Sequence, residues 1–316
     1  MTAPLVQFER ASVAYGRVRA MDDVTLDVAR GAITGLVGES GSGKTTLCRA
    51  LLGLAPVASG RVVFEGQDVA AHLTRGARAF RRRVQMLLQD AVASLSPRMT
   101  LGAALEEPLR IHGLPMAEGR PRLSAILRRL GLPEDIRGKY PHQVSGGQAR
   151  RVGVARALVM QPELIVADEP TAGLDVSVQG DLLNLMLDLQ REFGLTYLIV
   201  SHNLNVVRRI TERTAVMYLG QIVEEAPSAA LFRRPAHPYT AALLSTNPSV
   251  QAARPRGRIV LQGEIPSMLA PPSGCRFHTR CPVAQPRCAK EAPGLAEVEP
   301  GRSARCHFPF VLALSS

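Results

Sequence analysis

Nine consecutive residues constrain this chain more than any others: Gly38-Glu39-Ser40-Gly41-Ser42-Gly43-Lys44-Thr45-Thr46. They satisfy G-x-x-x-x-G-K-[ST] at every fixed position. A β-type run, Ile33 to Val37, leads in, and a helical run, Thr46 to Leu54, follows. Strand, tight turn and helix in that order build a cradle for phosphate. The glycines let backbone N–H groups turn inward, and the helix aims its positive end at the same anion. Lys44 supplies a charge for the β- and γ-phosphates, and Thr45 a hydroxyl for Mg²⁺. The stretch predicts an α/β fold holding a nucleoside triphosphate among Gly38, Ser40, Gly41, Gly43, Lys44, Thr45 and Thr46.

The chain has 316 residues and 46% hydrophobic content, enough for one large α/β domain plus an accessory piece. No apolar run approaches the length that spans a bilayer. Met1 to Arg10 has no apolar core ahead of a small-residue cleavage site, so no secretion signal is expected and the product is placed in the cytosol. The net charge is +11, yet Lys44, Lys139 and Lys290 are the only lysines. The excess is arginine spread along the chain, with a local cluster at Arg75, Arg78, Arg81, Arg82 and Arg83. Aromatics make up 4% and tryptophan is absent, leaving few platforms for base stacking. Nucleic acid is therefore not an expected partner; a basic surface near acidic phospholipid headgroups fits better.

Short strands are expected at Val6 to Phe8, Ser12 to Tyr15, Val24 to Val28 and Gly60 to Phe64, and a basic helix over Arg75 to Arg82. Val84 to Gln89 reads as a buried strand ending in Gln89. Prolines 97, 108, 115, 121, 133 and 141 then punctuate short helices, Leu105 to Ile111 and Arg122 to Leu130 among them, as in a helical insertion. The insertion ends in Val144-Ser145-Gly146-Gly147-Gln148 before a helix, Ala149 to Val159. Serine ahead of two glycines at a helix start is a second anion-type terminus. Leu164 to Ala167 is a parallel-type buried strand running into Asp168-Glu169-Pro170. Acids at the carboxyl end of such a strand lie where α/β sheets bind ligands: Asp168 can hold Mg²⁺ through water, and Glu169 can polarise an attacking water. Ala172-Gly173-Leu174-Asp175 turns into a helix, Val178 to Phe193; Leu195 to Val200 is the next strand, ending at Ser201-His202. A hairpin closes around Leu219-Gly220.

Past Pro248 the composition shifts. Arg254 to Arg258 reads as a linker and Arg258 to Gln262 as a candidate strand. Cys275, Cys281, Cys288 and Cys306 follow with five, six and seventeen residues between them, while Cys48 sits apart on the first helix, where burial is expected. Clustered cysteines in a cytosolic protein argue for a metal rather than disulfides. The C-x₂-C knuckles of common zinc sites are absent. Four thiolates and the Cys281-Pro282 pair suit a [4Fe–4S] cluster, with Zn²⁺ or free thiols as the alternatives.

Together, Gly38–Thr45, Gln89, Val144–Gln148, Leu164–Glu169, Gly173–Asp175 and His202 resemble an ABC transporter ATPase over roughly residues 5–245. Asp90 with Ser94 to Thr100, Tyr140-Pro141, Leu174 to Gln179, His237-Pro238-Tyr239-Thr240 and Cys275-Arg276-Phe277-His278-Thr279-Arg280-Cys281-Pro282 are similar to the ATPases of peptide and nickel importers. The resemblance implies a P-loop NTPase core with an antiparallel β-subdomain, a helical subdomain at about 91–160 and a small Cys-rich C-terminal extension. It divides the chain into an ATPase domain, 1–250, and the extension, 251–316. It implies ATP and Mg²⁺ as ligands. Tyr15 would stack on adenine, Gln89 would link the Mg²⁺ site to a membrane subunit, and Asp168 would support the metal. Glu169 would be the general base, and His202 would contact the γ-phosphate. Ser145, Gly146, Gly147 and Gln148 would act on ATP held by a partner, with Asp175 at that interface. It implies a second ATPase subunit in a heterodimer, two integral membrane permeases, an extracytoplasmic solute-binding protein, and a peripheral place on the cytoplasmic face of the inner (plasma) membrane. Similar tails are associated with a [4Fe–4S] cluster. Uptake of peptides is the implied task, with a nickel or metal-chelate importer or a soluble non-transport ABC ATPase as alternatives. Val144 stands where Leu is usual, Ala172-Gly173 replaces Ser-Ala, and Ala91 replaces Pro; no catalytic group is lost.

Overall fold

A computed structural model describes residues 3–88, 90, 93–246 and 259–312. The chain divides into two compact units, Met1–Ala70 with Val200–Ser316, and Ala71–Ile199.

In the first unit, β1 (Pro4–Tyr15) and β2 (Val18–Ala29) form a long antiparallel hairpin, each twelve residues. The two short strands expected within 6–15 are thus one. Leu5, Val6, Phe8, Ala11 and Val13 are buried, and register shifts on either side of Ala11 let one strand continue where simple alternation fails. β3 (Ile33–Val37) is buried along its whole length and delivers the chain to α1 (Lys44–Leu51). β4 (Ser59–Phe64) and β5 (Gln67–Asp68) complete a four-stranded sheet, β2-β1-β4-β5, which is the antiparallel subdomain the sequence predicts. α2 (Val69–Arg83), interrupted at Gly76, begins at the end of this stretch and belongs to the second unit from Ala71 on.

The second unit contains β6 (Val84–Leu87), α3 (Leu101–Ile111), α4 (Met116–Arg129), α5 (Gly146–Leu158), β7 (Leu164–Asp168), α6 (Val176–Phe193) and β8 (Thr196–Val200). Its strands run β8-β7-β6, with β6 and β7 parallel and Leu87 beside Ala167. Glu106, on α3, accepts from Arg110 Nη2 and from Arg120 Nε of α4, each at 2.9 Å.

The chain returns to the first unit with α7 (Leu204–Ile210), β9 (Arg213–Tyr218), β10 (Gln221–Pro227), α8 (Ser228–Arg233), α9 (Pro238–Ser245), α10 (Pro286–Lys290), β11 (Ala296–Glu299) and β12 (Arg302–Ala304). Here the strands run β11-β12-β10-β9-β3, so the tail extends the sheet that carries β3. β12 pairs with β10 at Glu224↔Ala304 and Glu225↔Ser303. The strand expected near Arg258 to Gln262 does not form: Ile259 to Gln262 has no regular structure, and Arg258 lies outside the described residues. Cys48 is fully buried on α1, as expected. Among the described residues, no helix is long and apolar enough to cross a membrane.

Candidate nucleotide site

In the first unit, the phosphate-type loop joins β3 to α1 through glycines that no other residue could replace without movement. Gly38 has φ 156° and Gly43 φ 108°. A Cβ on Gly38 would run into the Met217 carbonyl, and one on Gly43 into the Ala20 carbonyl. The loop is therefore packed down on the ends of β2 and β9, which leaves its backbone to define the cradle. Gly43 N-caps α1 without a side-chain cap, and no acidic residue occupies the helix's first turn. That combination suits a polyphosphate, because the helix's positive end meets no competing carboxylate.

Lys44 is 8% exposed, and its Nζ donates to the carbonyls of Gly38 and Glu39, both at 2.8 Å. Its charge is thus held against the loop. Thr45 is exposed one residue further on, so its hydroxyl stands at the helix start. Tyr15 ends β1 and is 45% exposed, available for ring stacking. The Ser201 N–H donates to Leu36 O of β3 at 3.1 Å, which places exposed His202 just past a residue tied to the strand that feeds the loop. Asn203 then caps α7.

In the second unit, Ser145 caps α5. Its Oγ accepts from Gln148 N at 3.2 Å, and the Gln148 side chain accepts from Ser145 N at 3.1 Å. This reciprocal box starts the helix at Gly146, three residues before the expected Ala149. Asp168 ends β7 and Glu169 follows with φ 50°, a left-handed conformation unusual for a side-chain-bearing residue. Such conformations cost on the order of 1–3 kcal/mol and persist where the surroundings impose them. Arg150 of α5 donates to Ala172 O at 2.9 Å, tying the Ser145 helix to the turn after Glu169. Asp175 caps α6, accepting from Val178 N at 2.9 Å and from Ser177 Oγ at 2.8 Å. Those bonds, the Val178 N–H foremost, hold its carboxyl below the usual range. Gln89 lies outside the described residues.

The four tail cysteines line one small cavity with His237, Phe277 and His278. Burial raises all three shifted thiols: Cys275, Cys281 to about 11, and Cys306 to about 12. Among the described residues, no group of three or more His, Cys, Asp or Glu is already placed to hold a metal ion.

The sequence reading assigned no role to Glu39, Tyr239 or Arg280. The Glu39 N–H donates to Tyr239 Oη at 2.9 Å, and Arg280 grips the Glu39 carboxylate with two N–H bonds, at 2.9 and 3.2 Å. Tyr239 and Arg280 lie in the two segments, His237–Thr240 and Cys275–Pro282, that carry the importer resemblance, and Glu39 lies in the phosphate-type loop itself.

Residues 21–172 match the ABC transporter family model, and residues 223–288 match the oligopeptide/dipeptide transporter C-terminal region. A Brucella ovis protein named for peptide import is 49% identical over 92% of this chain and 92% of its own. The oligopeptide transport ATP-binding protein AppF of Bacillus subtilis is 46% identical over 93% of this chain and 90% of its own. Among solved structures, cbiO1 of Clostridium perfringens, part of a cbiONQ transporter complex, superposes with TM-score 0.67 at 27% identity, covering 73% of this chain and 91% of its own. A dimeric ATP-binding cassette in a post-hydrolysis state with ADP and phosphate gives TM-score 0.62 at 28% identity, covering 71% and 98%. The chain belongs to the ATP-hydrolysing, ATP-binding subunits of ABC transporters, in the group that carries the oligopeptide/dipeptide transporter C-terminal region.

Proposed function

We propose that the chain powers uptake of peptides through an importer, as its relatives' names state for them. The observation that carries this is one chain holding both a glycine-built phosphate loop and a Ser145-capped helix, followed by the oligopeptide/dipeptide-type tail. The tail and the named relatives favour peptide cargo over a nickel chelate.

In this reading the loop's N–H groups, Lys44 and the α1 terminus bind the phosphates of ATP, and Tyr15 stacks on adenine. Thr45 and Gln89 would hold Mg²⁺, with Asp168 in support. When bound, Mg²⁺ would neutralise charge on the transferring phosphate. Glu169 takes a proton from the attacking water, and His202 donates toward the γ-phosphate. Ser145, Gly146, Gly147 and Gln148 complete the site of a partner ATPase, with Asp175 at the interface. Binding then closes the pair, and hydrolysis reopens it. We assign the ATPase domain to 1–250, its helical part to about 91–160 and the extension to 251–316. A surface pocket lined by Gln85, Leu87, Leu88, Ser94, Arg150 and Ala157 supports docking of membrane permeases on this helical side. The full assembly would be a heterodimeric ATPase on the cytoplasmic face of the membrane, two permeases and a solute-binding protein.

Four tail cysteines without C-x₂-C knuckles, with the Cys281-Pro282 pair, support a [4Fe–4S] cluster over Zn²⁺, and all four line one cavity. Iron and acid-labile sulfide in anaerobically purified protein test that; zinc alone at one equivalent refutes it. The transport reading is tested by co-expression with candidate permeases. Stable recovery in membranes with peptide-stimulated ATP turnover is expected, and recovery in a soluble nucleic-acid complex refutes it.

A further inference from the structure

The motif leaves the position of Glu39 open to any residue, so phosphate binding alone does not explain how thoroughly this side chain is held. Every polar part of Glu39 is engaged. Its N–H donates to Tyr239 Oη at 2.9 Å, its carbonyl accepts from Lys44 Nζ at 2.8 Å, and its carboxylate takes the two-pronged Arg280 bond. Planar guanidinium–carboxylate pairing fixes orientation as well as distance.

The groups that grip Glu39 are themselves closely packed. The Arg280 side chain is 8% exposed, and its Nε is buried without a hydrogen-bond partner. Its charge therefore leans on Glu39 and, at 3.5 Å, on Tyr218 Oη. The Arg280 N–H donates to Phe277 O at 3.0 Å. Phe277 is buried and packs edge-on against Tyr218 and Tyr239, with ring centroids 5.3 and 5.4 Å away, while the two tyrosines lie 4.6 Å apart. One aromatic block, drawn from β9, α9 and the cysteine-flanked segment 275–281, thus stands behind the phosphate loop. The same segment reaches the loop by a second route. Arg276 pairs with Asp22, the Asp22 N–H donates to Gly220 O at 2.8 Å, and the Gly220 N–H donates to Ser42 O at 2.8 Å.

We propose that Arg280 and Tyr239 are positioning residues for ATP, acting through Glu39 to fix the phosphate loop and the Lys44 ammonium. Because Lys44 shares the Glu39 carbonyl, any shift of Glu39 moves the charge that meets the phosphates. The importer-type tail is then the rear wall of the nucleotide site. This rests on reading Gly38–Thr46 as that site.

The test is binding of a fluorescent ATP analogue with Mg²⁺ to the full chain, with steady-state turnover where the chain is active and thermal unfolding alongside. Arg280→Ala is expected to weaken ATP binding about tenfold, the loss of one oriented charge-assisted pair, and to raise KM while kcat changes less than about twofold. Arg280→Lys should recover part of the affinity. Glu39→Gln should weaken binding similarly, and the double variant Glu39→Gln/Arg280→Ala should be no worse than either single one. Should Arg280→Ala not fold, Tyr239→Phe keeps the ring, removes only the acceptor for the Glu39 N–H, and is expected to weaken binding about threefold. Lowered thermal stability with unchanged ATP affinity in the folded protein, for whichever variant folds, overturns the proposal. Lys44→Ala separates the two claims: if it binds ATP normally, the reading of the site has failed rather than the clamp.

Discussion

Gly43→Ala tests the local physics of the loop most directly. At φ 108° an alanine pays the left-handed penalty, about 1–2 kcal/mol. The new Cβ would also overlap the Ala20 carbonyl and stand 2.8 Å from Met217 Cε. The methionine can yield, but the backbone of β2 cannot move without disturbing the hairpin, so overpacking adds about 1–3 kcal/mol. The sum, about 2–5 kcal/mol, should lower the melting temperature by about 4–10 °C, at about 2 °C per kcal/mol for a chain of this size. Gly41→Ala is the internal control. It has φ 76° but nothing within 4 Å of its Cβ, so only the backbone penalty applies, about 1–2 kcal/mol or about 2–4 °C. Thermal unfolding of both variants, with and without MgATP, measures the difference. Gly43→Ala should also lose the stabilisation that MgATP gives, because Gly43 sets the start of α1. Equal melting temperatures for the two variants would refute the argument that close approach at Gly43 shapes the loop.

Two further outcomes are expected. Glu169→Gln should retain MgATP while turnover, read by phosphate release, falls by about 10²-fold or more; undiminished turnover in a complex whose partner site is inactive rejects Glu169 as the base. Glu106→Gln should lower the stability of the helical region by about 1 kcal/mol at neutral pH, since hydrogen bonding from Arg120, then Arg110, holds the Glu106 carboxyl below its usual range. A lowered folded value means this contribution is complete above the ordinary glutamate range and disappears as pH falls through the folded value. The gap between wild type and variant, followed by denaturant unfolding, should therefore close in acid; a gap that widens there contradicts the assignment.

The parts of the site that are local in sequence were legible in it. Strand, glycine turn and Lys44-Thr45 are contiguous, and so are Ser145 to Gln148 and Leu164 to Glu169; each needs only neighbouring residues to declare its geometry. Even there a boundary moved: the Ser145–Gln148 box begins α5 at Gly146, because capping outranked the poor helix propensity of two glycines. What the sequence could not show depends on distant partners. Glu39 and Arg280 are 241 positions apart, and nothing in either neighbourhood names the other. The unbroken β1 relies on register shifts that an alternation rule misreads as a strand end. The cysteines declare sulfur chemistry through their number, whereas the cavity they share depends on how the tail folds back over α9 and β9.

The pairing of β12 with β10 bears on how such a tail could be gained or lost. Without residues beyond Pro248, β10 would present an unpaired row of peptide groups along Ile222 to Glu225, a template for another chain's strand. With the tail in place, the outer edge passes to β11, a strand of only four residues, Ala296–Glu299, and so a poor template for such pairing. A truncation after Pro248 would therefore surrender edge protection along with the cysteines, and the product should tend to self-associate. The extension is thus an integral strand set of the sheet it borders.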